Sequence, residues 1–260
     1  MKVVTWNVNS VRTRLPRLLA LLERHEPDVV CLQETKVTDG VFPREELEAA
    51  GWTLTAFGQK TYNGVAFLSR EEPAAVERGF PDDPVPEQAR VISADFGGLR
   101  VVDAYVVNGK AVGDEKYDIK LRWLDAFCAW IRGQHDPARP LIVVGDFNIA
   151  PEERDVHDPE RWRGKVLCSD EERARLQGML DWGLQDLQRL HTQEDGLYTW
   201  WDYRMGAFRR GWGLRIDLML GTAPVAAACT GVEIDREERK ESTGEGKPSD
   251  HAPVIATLAL

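Results

Sequence analysis

Four short apolar, β-branched runs, Val3-Val4, Val29 to Leu32, Leu141 to Val144 and Val254 to Thr257, each abut a cluster of acids and amides. Runs of this length bounded by polar residues fit strands buried in a sheet core. The neighbouring clusters are Trp6-Asn7, Gln33-Glu34, Gly145-Asp146-Phe147-Asn148 and Ser249-Asp250-His251. Strands lying side by side would bring these clusters to one rim. Carboxylates, amides and an imidazole gathered there form a site for a hard cation such as Mg²⁺, which takes oxygen ligands and keeps some of its waters. That chemistry suits hydrolysis of a phosphate ester.

The rest of the pattern sets the fold class. Leu15, Leu18, Leu19 and Leu22 lie on one face of a helix over Arg14 to Glu26, which Pro27 stops before a strand at Asp28 to Leu32. Trp52 to Phe57 and Val65 to Leu68 flank the turn signal Tyr62-Asn63-Gly64, and Arg90 to Asp95 and Leu99 to Tyr105 flank Gly97-Gly98. Helices are expected over Asp118 to Gln134 and over Ser169 to Leu180, the second with Ser169 as N-cap and Glu171-Glu172 in its first turn. Arg215 to Leu220, Val225 to Ile234 and Pro253 to Leu258 read as strands, and Arg236 to Pro248 as a mobile surface loop. Hairpins in both halves and no regular strand–helix alternation favour an α/β fold of two packed mixed sheets with helices outside.

Across 260 residues no break in composition or internal repeat divides the chain, so one catalytic domain over 1–260 is expected. Cys31, Cys128, Cys168 and Cys229 are far apart and show no metal-ligand spacing, as expected of free thiols in a reducing cytoplasm. The chain opens directly on a strand, without the features of a secretion signal, and no apolar run approaches membrane-spanning length. A soluble, intracellular monomer with no membrane partner is expected. A net charge of −10 argues against nonspecific coating of nucleic acid, which relies on Lys and Arg displacing counterions. Local charge can still serve a nuclease.

Each cluster has a plain reading beside the chemical one. Glu34 read alone is a surface glutamate, and Asn7 read alone closes a turn through its own backbone. Asp146 and Asn148, two apart in extended chain, face the same way and offer a carboxylate base beside an amide for a phosphoryl oxygen; the plain reading is an Asx turn before Pro151. His251 sits beside Asp250, whereas His25, His135, His157 and His191 lie in helical or loop contexts without such a partner. Asp217, in the first part of a buried strand, needs a partner. Either it orients His251, as hydrolases arrange a carboxylate behind an imidazole, or it forms a structural ion pair with Arg215 or Arg204.

Between Tyr203 and Arg215 stand Arg204, Arg209, Arg210 and Arg215 with no acid, interleaved with Phe208 and Trp212 and preceded by Trp200-Trp201. Guanidinium groups pair with phosphates, and aromatic faces stack on bases or fill the space of a missing one. One of Trp200 and Trp201 is expected in the core, since neighbours in a strand face opposite ways. Arg12, Lys36, Lys60 and Lys116 extend the basic surface. No nucleophile elbow, Walker-type loop or His-Glu-x-x-His motif is present.

Taken in order, Thr5 to Ser10, Leu32 to Lys36, Tyr62 to Ala66, Glu115-Lys116-Tyr117 with Lys120 and Trp123, Gly145 to Pro151, Thr199 to Arg204, Leu214 to Asp217 and Ser249 to Val254 resemble the exonuclease/endonuclease/phosphatase superfamily, and within it the exonuclease III group of apurinic/apyrimidinic endonucleases. The resemblance runs from residue 5 to residue 254. It implies a four-layered α/β sandwich and a divalent metal, Mg²⁺ with Mn²⁺ as substitute, held by Asn7, Glu34 and Asp250. Asp146, Asn148 and His251 join as ligands if two metals act. It further implies that Asp146 positions or deprotonates the attacking water, Asn148 binds the phosphate, and His251, oriented by Asp217, contacts the scissile group. Tyr105 matches the family tyrosine near the leaving group, although the proline that usually follows two residues later is Val107 here.

The implied activity is Mg²⁺-dependent hydrolysis of the DNA backbone 5′ to an abasic site, with 3′ to 5′ exonuclease and 3′-phosphodiesterase action on duplex DNA carrying abasic sites or 3′-blocked ends. Lys36, Asn63, Lys116, Trp200, Arg204 and Trp212 are the expected substrate contacts, and the enzyme would associate with the nucleoid when acting on DNA. Two alternatives are a superfamily phosphatase for a small phosphoester or lipid and a catalytically silent DNA-binding module. The first would not need the Arg and Trp loop; the second could discard the carboxylates.

Overall fold

The computed structural model describes residues 1–260. In chain order its main elements are β1 (Lys2–Asn7), α1 (Val11–His25), β2 (Val29–Gln33), α2 (Arg44–Ala49), β3 (Thr53–Phe57), β4 (Val65–Ser69), β5 (Ala74–Arg78), β6 (Val91–Phe96), β7 (Leu99–Tyr105), α3 (Glu115–Gln134), β8 (Leu141–Asp146), α4 (Pro159–Trp162), α5 (Asp170–Trp182), β9 (Leu184–Asp186), α6 (Leu187–His191), α7 (Ala207–Arg210), β10 (Asp217–Thr222), α8 (Ala223–Ala228), β11 (Cys229–Ile234) and β12 (Val254–Leu258). Two six-stranded sheets form, ordered β11-β12-β1-β2-β4-β3 and β5-β6-β7-β8-β10-β9. Each is mixed: β1 and β2 are parallel in the first, β7 and β8 in the second, and the other pairs are antiparallel.

Side-chain alternation explains the layering. Val3, Val29 and Cys31 enter one apolar cluster with Val101, Ile142, Val144 and Met219 of the other sheet, so the sheets pack face to face. Val4, Trp6, Val30 and Leu32 point the opposite way, onto Leu18, Leu21 and Leu22 of α1. The far face of the second sheet packs on Trp123, Phe127 and Ile131 of α3 and on Leu176 and Met179 of α5. Helix, sheet, sheet, helix is the four-layered α/β sandwich expected.

Several local expectations need correction. Helix α1 starts at Val11 and carries Pro16 within it, three residues earlier than the leucine stripe suggests. The β3–β4 connection runs over 58–64; Asn63 and Gly64 both have positive φ, 55° and 90°, but they close a long loop into β4 and make no two-residue turn. The Gly97-Gly98 hairpin does form, with φ of 57° and 93°. The strand expected from Val225 starts only at Cys229, because Pro224 and three alanines make α8 first. Ser169 caps α5 as expected, and Glu172 completes a capping box with it.

Residues 236–248 are not a loose loop. They include two short 3₁₀ turns, Arg236–Arg239 and Glu241–Thr243. The fully buried Arg17 of α1 donates to the carbonyls of Glu238, Lys240, Glu241, Gly244 and Gly246 and pairs with the Glu238 carboxylate. One guanidinium thus supplies donors that a short loop cannot find within itself. His25, expected without an acid, lies 2.9 Å from Asp235, the residue just before this segment. No helix is long and apolar enough to cross a membrane.

Candidate active site

Strand register delivers the site. Asn7 ends β1 opposite Gln33, the last residue of β2, and Glu34 follows. In the other sheet Asp146 ends β8 and pairs in register with Tyr105 at the end of β7 and Asp217 at the start of β10. Gly145 is required there: its φ is +134°, and a Cβ would stand 2.0 Å from the carbonyl oxygen of Ala104. Ser249-Asp250-His251 enters just before β12, tied by Ser249 Oγ donating to the Asn7 carbonyl at 2.7 Å and by Trp6 Nε1 donating to the His251 carbonyl at 3.1 Å. All four polar clusters therefore reach one rim.

At the centre, ligand atoms of Glu34, Asp146 and His251 lie within 4.8 Å of one another. The Asn7 side-chain nitrogen donates to Glu34 Oε1 and to Asp146 Oδ2, each at 2.9 Å, while its oxygen accepts from the Asn9 N–H at 3.0 Å. Holding a cation through Asn7 would therefore need that amide turned over. Asp250 stands outside the trio, with one oxygen accepting from Asn9 Nδ2 at 2.8 Å and the other from Trp200 Nε1 at 3.1 Å. Asn148 has φ +51°, accepts from Asn108 Nδ2 at 2.8 Å and donates to the Val106 carbonyl at 3.1 Å. One of its two amide hydrogens remains for a ligand.

The electrostatics fit a divalent ion. Burial, reinforced by the charges of Asp217 and Glu34, pushes the Asp146 carboxyl up to about 7 despite the opposing His251. Burial would lower the His251 imidazole, but Asp217 and Asp146 outweigh it and hold the ring up to about 10. Glu34 is lowered: burial opposes its charge, and Lys36 at 2.8 Å and Asn7 overcome that. Burial also raises the Tyr105 phenol well above its ordinary range, with Glu34 adding to the effect. Four carboxylates, Glu34, Asp146, Asp217 and Asp250, surround one imidazole, and the negative charge left over on hard oxygen donors suits a hard divalent cation.

His251 Nδ1 lies 2.9 Å from Asp217 Oδ2, the orienting pair rather than the ion-pair alternative. Arg215 turns elsewhere: buried, it binds Asp155 at 2.6 Å and Asp186 at 2.7 Å and adds nothing to the basic surface. Arg204 is exposed and paired with Asp202 at 2.6 Å, and Lys116 is exposed on the first turn of α3. Asn63 is buried, donating to Gln59 Oε1 at 2.9 Å. Trp201 is the core tryptophan, fully buried, and Trp200 the one that faces the site.

Beside Trp200 opens a cavity of about 370 Å³, walled by Trp162, Trp200 and Trp212 with His157, Lys165 and Arg204 at its edge. His157 stacks on Trp212 at 6.2 Å between ring centroids, and the Arg210 guanidinium lies 4.6 Å over the same ring. The wall formed by His157, Arg161, Trp162 and Lys165 was missed from sequence. Its signal, arginine and lysine around a tryptophan, is the one that marked 203–215. Asn9, which links Lys36 to Asp250, was missed too, because asparagine after a strand carries no distinctive spacing.

Comparison with known proteins agrees with this geometry. Residues 4–251 match the endonuclease/exonuclease/phosphatase family. Exodeoxyribonuclease III of Haemophilus influenzae is 37% identical over 268 aligned residues, covering 98% of this chain and 99% of the relative. The structure of NExo, a Neisseria 3′ phosphatase bound to a product DNA hairpin, superposes with a TM-score of 0.93 at 44% identity over 99% of both chains. An AP endonuclease of Archaeoglobus fulgidus superposes with a TM-score of 0.94 at 35% identity over all of both chains. The chain belongs to the endonuclease/exonuclease/phosphatase family, in its exonuclease III group.

Proposed function

We propose that this member of the exonuclease III group is a Mg²⁺-dependent DNA repair nuclease, one catalytic domain over 1–260, that cleaves 5′ to abasic sites and removes nucleotides and blocking groups from 3′ ends. The observation that carries the reading is the convergence of Glu34, Asp146 and His251 within 4.8 Å beside a basic, tryptophan-walled cavity. A small-phosphoester phosphatase has use for the acids but not for that cavity, and a silent binding module has no use for the acids. The relatives support both ends of the activity: one is named a 3′ phosphatase, another an AP endonuclease.

Glu34, with Asp250 and a turned-over Asn7, would hold the metal, and Asp146, Asn148 and His251 are nearest for a second. The bound ion lowers the pKa of water and offsets charge building on the phosphate oxygens. Asp146 takes the proton of the attacking water; the water oxygen bonds to phosphorus while the bond to the 3′ oxygen breaks, and that oxygen, leaving with the electron pair, takes a proton from solvent to become the 3′-hydroxyl. The free amide hydrogen of Asn148 and the charged ring of His251 donate to the equatorial oxygens, and Tyr105 stands at the leaving group. Trp200 and Trp212 flank the space entered by a sugar without a base, whose extrusion is cheap because its stacking is already lost. Lys36, Lys116 and Arg204 contact the backbone, whereas Asn63, expected there, is buried and bound to Gln59.

The test is end-labelled duplex DNA carrying one abasic-site analogue, or a 3′-phosphate, with Mg²⁺ or EDTA, using wild type, Glu34→Ala and His251→Ala. Metal-dependent product formation lost in both variants is expected. DNA binding without hydrolysis would overturn the reading in favour of a silent module.

A further inference from the structure

Arg90 is 8% exposed, and its protein hydrogen bonds go to neutral acceptors, Gln88 Oε1 at 2.7 Å and the Tyr105 carbonyl at 3.0 Å. A buried guanidinium with no carboxylate in contact is costly unless it has another role. Its surroundings point to one. Arg90 precedes β6 and faces Tyr105 across the β6–β7 pairing, where the Tyr105 N–H donates to the Arg90 carbonyl at 2.7 Å. The guanidinium carbon also lies 4.8 Å over the Tyr105 ring. One residue thus holds the tyrosine at its N–H, its carbonyl and its ring face, and a cation over an aromatic face is an attractive contact strengthened by burial.

We infer that Arg90 is the positioning residue for Tyr105, fixing its phenol beside Glu34 and Asp146 at the leaving-group side of the site. Position explains the missing acid. A carboxylate partner would draw the guanidinium off the ring and add a negative charge where Glu34 already supplies one. The two backbone bonds fix where the strand ends, and the ring contact fixes how the side chain leaves it; Val107, standing where the family pattern has proline, gives the following loop no rigid φ of its own. This inference rests on the role proposed above for Tyr105.

The test compares Arg90→Met, Arg90→Lys, Tyr105→Phe and the double variant Arg90→Met/Tyr105→Phe on the 3′-phosphate and abasic substrates at saturating Mg²⁺, with thermal midpoints measured alongside. Arg90→Met is expected to lower kcat by about 10- to 100-fold with KM nearly unchanged, the scale of a misplaced reacting group. Arg90→Lys should recover part of that loss, since an ammonium still sits over the ring. The double variant should be no slower than Tyr105→Phe alone, because a residue acting through Tyr105 has nothing left to position. Losses that multiply in the double variant would overturn the inference, as would a fall in kcat that only tracks the unfolded fraction. Tyr105→Phe at the wild-type rate would overturn it while leaving the nuclease reading intact; no hydrolysis by wild type would remove both.

Discussion

Nδ1 of His251 lies 2.9 Å from Oδ2 of Asp217, with both side chains almost entirely out of solvent. That bond fixes the ring so that Nε2 turns toward the site, 3.8 Å from Asp146 Oδ2. Asp217→Asn removes the charge that favours the imidazolium and lets the ring adopt the wrong tautomer. A fall in kcat of about 100-fold or more is expected, with a circular dichroism spectrum like that of wild type. Retention of more than a third of wild-type kcat would mean that the pair is structural only.

Binding of Mg²⁺ should stabilise the folded chain, because the acid cluster exists only in the native state. With the ion at 100 times its dissociation constant the gain is about 2.7 kcal/mol, roughly 5–10 °C in Tm for a chain of this size. Differential scanning fluorimetry with Mg²⁺ and then with excess EDTA measures it. Glu34→Gln should abolish most of the increment, and a full increment in that variant would place the ion elsewhere.

Trp200 and Trp212 wall one cavity but should fail differently. Trp212→Ala removes a stacking face and is expected to raise KM for abasic DNA with little change in kcat, at roughly 1–3 kcal/mol per lost stack. Trp200→Phe keeps a wall and loses the N–H that binds Asp250 at 3.1 Å. Its effect should appear as a higher Mg²⁺ requirement. Steady-state kinetics across a Mg²⁺ series separates the two, and identical behaviour of the variants would contradict the division of labour.

Asp155 gives the fold an acid limit. It is fully buried, and although burial disfavours its charge, Arg215 and Arg189, each at 2.6 Å, hold its carboxyl below the ordinary range. A lowered native value means that the stabilisation is complete above the unfolded value of about 4 and disappears as pH falls through the native one. Asp155→Asn leaves Arg189 without a carboxylate and Arg215 with Asp186 alone, and should cost about 3–5 kcal/mol at pH 7. Urea midpoints compared between neutral pH and about pH 3 should show the gap between wild type and variant narrowing in acid; a gap independent of pH would refute the assignment.

What was legible in the sequence was what strands and short motifs encode. Val3-Val4 and Leu141 to Val144 are apolar at successive positions because each strand is covered on both faces, so the clusters at their ends could be placed at one rim before any contact was known. Pairings between distant segments were not legible. Nothing in Asp217-x-Met219 says that its partner is the imidazole of His251 and not Arg215, whose acids, Asp155 and Asp186, come from two other segments. Asp250 shows the same limit: its place in the motif is plain, but its separation from the central trio depends on Asn9 and Trp200. Glycine and charge made 236–248 look loose, since the residue that orders it, Arg17, is more than 200 positions away.

Arg17 therefore supports a prediction that sequence would not suggest. Its donors hold five carbonyls of the segment that leads into Ser249-Asp250-His251. In Arg17→Met those carbonyls must find water, which they can do only if the segment opens, while Glu238 keeps a second partner in Arg24 at 2.7 Å and α1 keeps its apolar face. The cost should thus fall mainly on local opening. A loss of about 3 kcal/mol there corresponds to roughly 100-fold faster cleavage, at ten-fold per 1.4 kcal/mol, when opening is rapid relative to proteolysis. Trypsin should cut after Arg236, Arg239 or Lys240 at that raised rate while the rest of the chain stays resistant, and kcat should fall as Asp250 and His251 lose their fixed entry into β12. Cleavage at the wild-type rate would show that the segment is ordered by something other than Arg17; cutting throughout the chain would show that Arg17 supports the whole fold rather than this segment.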